Sequence, residues 1–130
     1  MYSKTTNGVT VTVTPYFLDE QSSPQESHYV WAYQVNIMNS SSTTMKLNHR
    51  NWVIIDANGK IINVQGEGVV GEFPTLKPGE SFEYTSGTPL KTTNGIMQGF
   101  YLMSQNNGEQ LKIDIPTFSL DSPYNNKKFH

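Results

Sequence analysis

The chain has no cysteine among its 130 residues. That excludes a disulfide framework, a thiolate metal site and a cysteine nucleophile, and it suits a reducing compartment. No stretch approaches the ~18 consecutive apolar residues of a membrane-crossing helix, and Met1-Tyr-Ser-Lys-Thr-Thr-Asn-Gly8 lacks the apolar centre of a secretory leader. The expectation is a cytoplasmic protein with no membrane association. Charge is also sparse, at 15% of residues with a formal net charge of -2. A protein that coats nucleic acid needs a basic face to meet the phosphates, so no nucleic-acid partner is expected. Arg50 is the only arginine. Finally, no segment carries a 3.6-residue apolar stripe or a capping box, which leaves no candidate for a substantial helix.

What the chain does contain is alternation and turns. Val9, Val11 and Val13 alternate with Thr10, Thr12 and Thr14 up to Pro15, the period of a half-buried strand. Asp19 to Ser27 is a polar connection with no packed element of its own. From Tyr29 to Ile37 the odd positions form an apolar face that includes Trp31. Met45 and Leu47 open another strand on odd positions, whereas Trp52 and Ile54 continue it on even ones, so a β-bulge near Asn51 is predicted. Asp56-Ala-Asn-Gly59 and Asn107-Gly108 spell hairpins, with Asn58-Gly59 placed as left-handed positions. Leu76-Lys-Pro-Gly79 spells a type II turn. Met97 to Met103 is apolar on both faces, as a central strand would be. Seven to nine short strands in one domain of this size predict an all-β antiparallel two-sheet sandwich spanning residues 1–121, its core centred on Trp31 and Trp52. A closed barrel has the same periodicity. Residues 122–130 carry too little apolar surface to order themselves and are expected to form a disordered tail.

The least ordinary stretch is Gly66-Glu67-Gly68-Val69-Val70-Gly71, followed by Glu72 and Phe73. Its spelling matches a dinucleotide fingerprint, but that motif needs a helix opening at the last glycine. Pro74, Pro78 and Gly79 follow instead, so the glycines are read as backbone positions requiring positive φ or close approach. Such a loop can also expose successive N–H groups to an anion, with Arg50 and Lys60 as supporting charges. Glu67 and Glu72 would repel a phosphate there. Arg50 could instead fork onto the Glu67 carboxylate and hold the loop.

Taken together, Arg50-Asn-Trp-Val-Ile-Ile-Asp56, Val64-Gln-Gly-Glu-Gly-Val-Val-Gly-Glu72, Leu76-Lys-Pro-Gly-Glu80, Tyr84-Thr-Ser-Gly87, Met97-Gln-Gly99 and Ile115-Pro-Thr-Phe-Ser-Leu120 resemble the bacterial ApaG family, also called CorD. The resemblance runs from about Val11 to Leu120 and rests on the order and spacing of these segments. It implies an immunoglobulin/fibronectin type III-like β-sandwich, a glycine motif that looks nucleotide-binding without a Rossmann fold, and no established catalytic activity. Bacterial members are linked with cobalt tolerance and magnesium efflux. Similar eukaryotic domains attached to F-box proteins and to a polymerase-delta-interacting protein imply a docking module. The family usually reads Arg-His-Trp where this chain has Arg50-Asn51-Trp52, so no role of that histidine carries over, although His49 stands next door.

These readings lead to a non-catalytic binding module with a protein partner, its binding loop comprising Gly66, Glu67, Gly68, Val69, Val70, Gly71, Glu72 and Phe73. Val69, Val70 and Phe73 are expected to present the apolar docking surface, and Arg50 and Lys60 to support it. The alternative is a protein that senses a phosphate, a nucleotide or a divalent metal through the same loop. No cofactor and no catalytic residue is assigned, since Ser86 has no recognisable base and orienting acid. No metal ligand is assigned either, because His28, His49 and His130 lack metal-ligand spacing. The free edges of a sandwich also allow a homodimer.

Overall fold

The Val/Thr alternation, the Tyr29 to Ile37 stripe and the doubly apolar stretch near Met97 all become strands in the computed structural model, which describes residues 1–124. The strands are β1 (Tyr2–Thr6), β2 (Val9–Phe17), β3 (Tyr29–Asn39), β4 (Met45–Asp56), β5 (Ile61–Glu67), β6 (Thr75–Leu76), β7 (Ser81–Leu90), β8 (Asn94–Gln105) and β9 (Gln110–Asp121). All pairings are antiparallel. One sheet has the order β1-β2-β3-β7; the other is β5-β4-β8-β9, with β6 also paired to β4. The two pack as an immunoglobulin/fibronectin type III-like sandwich.

Their inner faces make one core. Val9, Val11, Val13, Trp31, Val35 and Ile37 come from the first sheet, and Leu47, Trp52, Ile54, Met97, Tyr101, Ile113 and Phe118 from the second. Both tryptophans are buried as expected, but they take different aromatic partners. Trp31 packs on Phe17 with centroids 5.1 Å apart, whereas Trp52 packs on Tyr33 at 5.0 Å and on Phe118 at 6.1 Å.

The two margins of the sandwich differ. On one side β1 and β9 are tied together by Lys4 to Asp114 at 3.2 Å, by the Asp114 N–H donating to Thr6 Oγ1 at 3.3 Å and by the Tyr2 and Ser119 hydroxyls at 3.3 Å. On the other side the edge strands β5 and β7 are not paired with each other, so the sandwich is open there. A closed barrel is thereby ruled out.

The predicted bulge is real but displaced. The register between β4 and β8 shifts between Leu47 and His49, which puts the extra residue at Asn48 and not near Asn51. Side chains reverse faces at a bulge. With the reversal ahead of it, Arg50 joins Trp52 and Ile54 on the inner face, directly opposite Tyr101 of β8. The predicted turns hold at Gly59, Gly79 and Gly108, all at positive φ, but Asn58 does not share the left-handed conformation. Asp56 Oδ1 organises that hairpin by accepting from the Asn58 and Lys60 N–H groups, each at 2.9 Å.

The polar connection from Asp19 folds into two 3-10 turns, Asp19–Gln21 and Pro24–Glu26. Ser22 staples them, its hydroxyl donating to the Leu18 carbonyl at 2.8 Å and accepting from Val30 N–H at 2.9 Å. Of the tail expected from residue 122, positions 125–130 lie outside the described residues. Ser122 is buried and donates its N–H to the Thr93 carbonyl at 3.0 Å, and the Tyr124 hydroxyl donates to Asp19 Oδ1 at 3.0 Å. Tyr124 also packs on Phe17 and Tyr29, which explains why the chain stays on the body past Asp121.

Candidate functional site

Arg50 starts on the inner face and must bring its charge out of an apolar layer. It does so across Gly66, its register partner on the edge strand β5. A Cβ built at Gly66 would lie 2.7 to 2.8 Å from the Nη2, Nη1 and Cζ atoms of the guanidinium. Glycine at this position is therefore the opening through which the arginine leaves the core. Once out, Nη1 donates to the carbonyls of Glu67 at 3.1 Å and Gly68 at 3.0 Å. This corrects the expected fork onto the Glu67 carboxylate. Glu67 alternates to the outer face, opposite His49, so only its backbone comes within reach.

The rest of the loop closes on itself. Gly68 N–H donates to the Asn48 carbonyl at 2.9 Å, which docks the loop on the β4 bulge, and Leu47 N–H donates to the Pro74 carbonyl at 2.9 Å. Val69 and Glu72 exchange N–H to carbonyl bonds at 2.8 Å each, with Val70 at φ 43 and Gly71 at φ 79 between them. Two left-handed residues between a hydrogen-bonded pair are a type I′ turn. Gly68 has φ 63, and a Cβ there would stand 2.2 Å from the Glu72 carbonyl oxygen. The N–H groups of Gly68, Val69 and Glu72 are thus spent inside the protein, and the positive group beside the loop meets its carbonyls.

The eight loop residues do not share one role. Val69 is fully buried in the core, so its place on an exposed docking surface is corrected: it anchors the loop. Val70 and Phe73 are 52% and 47% exposed, and Lys46 Nζ sits 5.8 Å from the Phe73 ring centroid. A β-branched residue at positive φ is an outlier in backbone terms. Lys60 is also misplaced by the sequence reading. It lies at the opposite end of β5 in the Asp56 hairpin, so of the two expected supporting charges only Arg50 reaches the loop. Beside the loop, β5 is solvent-exposed along nearly its whole length, with Ile61, Ile62 and Val64 at 59%, 41% and 40% exposure. Their apolar run without strict alternation was the available signal.

Sequence reasoning also missed a hydroxyl cluster behind Arg50. Tyr33 stands opposite Ser86 across β3 and β7, and the Tyr84 and Tyr101 hydroxyls lie 2.5 Å apart between the sheets. Burial pushes all three phenols above the ordinary tyrosine range, while the nearby Arg50 charge pulls each of them down. On the open margin, between β5 and β7, Tyr33, Arg50, Trp52, Val64, Ser86 and Thr88 line a crevice of about 130 Å³.

Fold and site together define a fibronectin type III-like β-sandwich with an arginine-held glycine loop on its open margin. The chain belongs to the ApaG family: the ApaG domain profile matches residues 19–105. It is 56% identical to Protein ApaG of Paramagnetospirillum magneticum over 124 residues, covering 95% of both chains. To Protein ApaG of Bradyrhizobium diazoefficiens it is 54% identical over 127 residues, covering 98% of both. The crystal structure of the ApaA protein from Bordetella pertussis superposes with a TM-score of 0.86 at 44% identity, over 88% of this chain and 94% of that one. A β-glucuronidase from Bacteroides uniformis shares the fold alone, with a TM-score of 0.55 at 14% identity over 13% of its own length.

Proposed function

We propose that this chain is a non-catalytic, cytoplasmic docking module that binds a protein partner along β5 and the loop that follows it. The observation that carries this is Val70. A β-branched apolar residue is held at the tip of a two-residue turn with left-handed φ, and its side chain faces solvent. Backbone strain of this kind costs about 1–3 kcal/mol and persists where the surroundings over-determine it. Phe73, Ile61, Ile62 and Val64 extend the same apolar margin, and an exposed edge strand offers a partner its unpaired backbone groups.

The link to cobalt and magnesium homeostasis implied by the family resemblance then runs through the partner. In support, no three His, Asp or Glu side chains gather at metal-binding distance among the described residues. The surface is tested with a Val70→Glu, Phe73→Glu double variant. Both positions are exposed, so the charges need not be buried, unlike Val69→Glu. Proteins captured from a bacterial extract by the wild type should be lost by a variant with unchanged circular dichroism; equal recovery would contradict the surface.

A further inference from the structure

The crevice behind Arg50 has a chemistry that the docking surface does not use. Nη1 is occupied by the two loop carbonyls, but Nε and Nη2 donate to no described residue. Neither is a buried orphan, since Trp31 Nε1 is the one buried side-chain atom without a partner among the described residues. Both nitrogens are therefore open to solvent. Arg50 also has no carboxylate within ion-pairing distance among the described residues, although its stem lies on the core face beside Tyr101. Its free edge can therefore offer an anion charge-assisted hydrogen bonds without further desolvation of the buried stem.

We propose that this crevice is a carboxylate-binding pocket, in which Arg50 presents Nε and Nη2 as a fork and Tyr33 and Ser86 supply hydroxyls beside it. Four observations select the ligand class. The Nε and Nη2 pair matches the two oxygens of a carboxylate side-on. A volume of about 130 Å³ falls well below the roughly 300–1,000 Å³ of ordinary small-molecule sites, which removes nucleotides and leaves a group of a few atoms. Trp52, Ile54 and Val64 form an apolar wall suited to a short alkyl substituent. One cation near the exposed Glu67 and Glu72 also favours a monoanion over a phosphate dianion. Because the same guanidinium holds the loop carbonyls, carboxylate binding and loop anchoring share one side chain.

The carboxylate could belong to a free short-chain acid or to the end of a peptide, and one titration separates them. Labelled protein is titrated with propionate, with a tripeptide bearing a free C-terminus and with its amide, at constant ionic strength set by chloride. The Arg50 Nε–H and the Gly66, Ser86 and Gly87 amides should shift saturably with propionate. Arg50→Lys keeps the charge but removes the fork, and Ser86→Leu fills the crevice without touching Arg50; each should weaken binding about tenfold or more. Tighter binding of the free peptide than of propionate, lost on amidation, identifies a chain end as the source; equal affinity identifies a free acid. No saturable shift with either ligand, or undiminished binding in both variants, overturns the proposal. Ser86→Leu leaves Arg50, the loop, Val70 and Phe73 in place, so with this variant failure here and failure of the docking surface are read separately.

Discussion

Arg50 shows how a single side chain can be built into a sandwich as a tether. The bulge at Asn48 turns it inward, Gly66 lets it out, and two carbonyls receive it. The glycines around it should therefore differ sharply in their tolerance of substitution. At Gly71 a Cβ meets nothing within 4 Å, so alanine there carries only the left-handed penalty of roughly 1–2 kcal/mol. At Gly68 the same penalty adds to a backbone oxygen 2.2 Å from the new atom, so Gly68→Ala should shift the urea midpoint clearly further than Gly71→Ala. Equal shifts would mean the loop is not closed as described. The glycine requirement was legible in the sequence, because the proline-rich continuation excludes a helix. What Arg50 binds was not, since that depends on a register displaced by three residues. The tyrosines make a second prediction at this scale. Tyr84 and Tyr101 are raised chiefly by burial, so above pH 10, the ordinary tyrosine value, the unfolded chain releases protons that the folded chain keeps. Their contribution is complete below that pH and falls as pH rises beyond it. Denaturant midpoints followed from pH 9 to 11 should therefore drop, and Tyr84→Phe should flatten the drop; an equal slope would contradict the burial.

Among the elements, the strands with clean alternation or double-sided apolarity were readable, because burial on one or both faces is written directly into residue type. β2, β3 and β8 are of this kind. β1 was not readable. Its residues Tyr2 to Thr6 are mostly polar and exposed, and its pairing with β2 is supported by Ser3 to Thr12 and Thr5 to Thr10 hydroxyl contacts at 3.0 and 2.7 Å. The signal that could have found it is Asn7-Gly8, both at positive φ in the turn between the strands. The exposure of β5 was not readable, since an edge position depends on which strands pair elsewhere. The loop turn after β5 carries its own test. Asn tolerates the left-handed region better than Val, so Val70→Asn should raise stability by about 0.5–1 kcal/mol while weakening partner capture. Gain of stability with capture intact would show that Val70 is not a docking residue.

For the whole molecule, the sandwich is closed along β1 and β9 and open along β5 and β7, and the apolar edge, the loop and the arginine crevice all fall on the open margin. The family and the sandwich could be read from ordered segments along the chain. The asymmetry of the margins could not, because it depends on which edge strands tertiary packing leaves unpaired. This margin is preformed by the protein itself, with Arg50 as its tether, so the proposed partner would meet a rigid surface without prior ligand binding. Amide hydrogen exchange on the isolated chain tests this most directly. The Gly68, Val69 and Glu72 amides should be protected without any added ligand, and Arg50→Gln should lose that protection while the β3 and β8 amides keep theirs. Fast exchange at those three amides in the wild type, slowed only when an anion or nucleotide is added, would contradict the account.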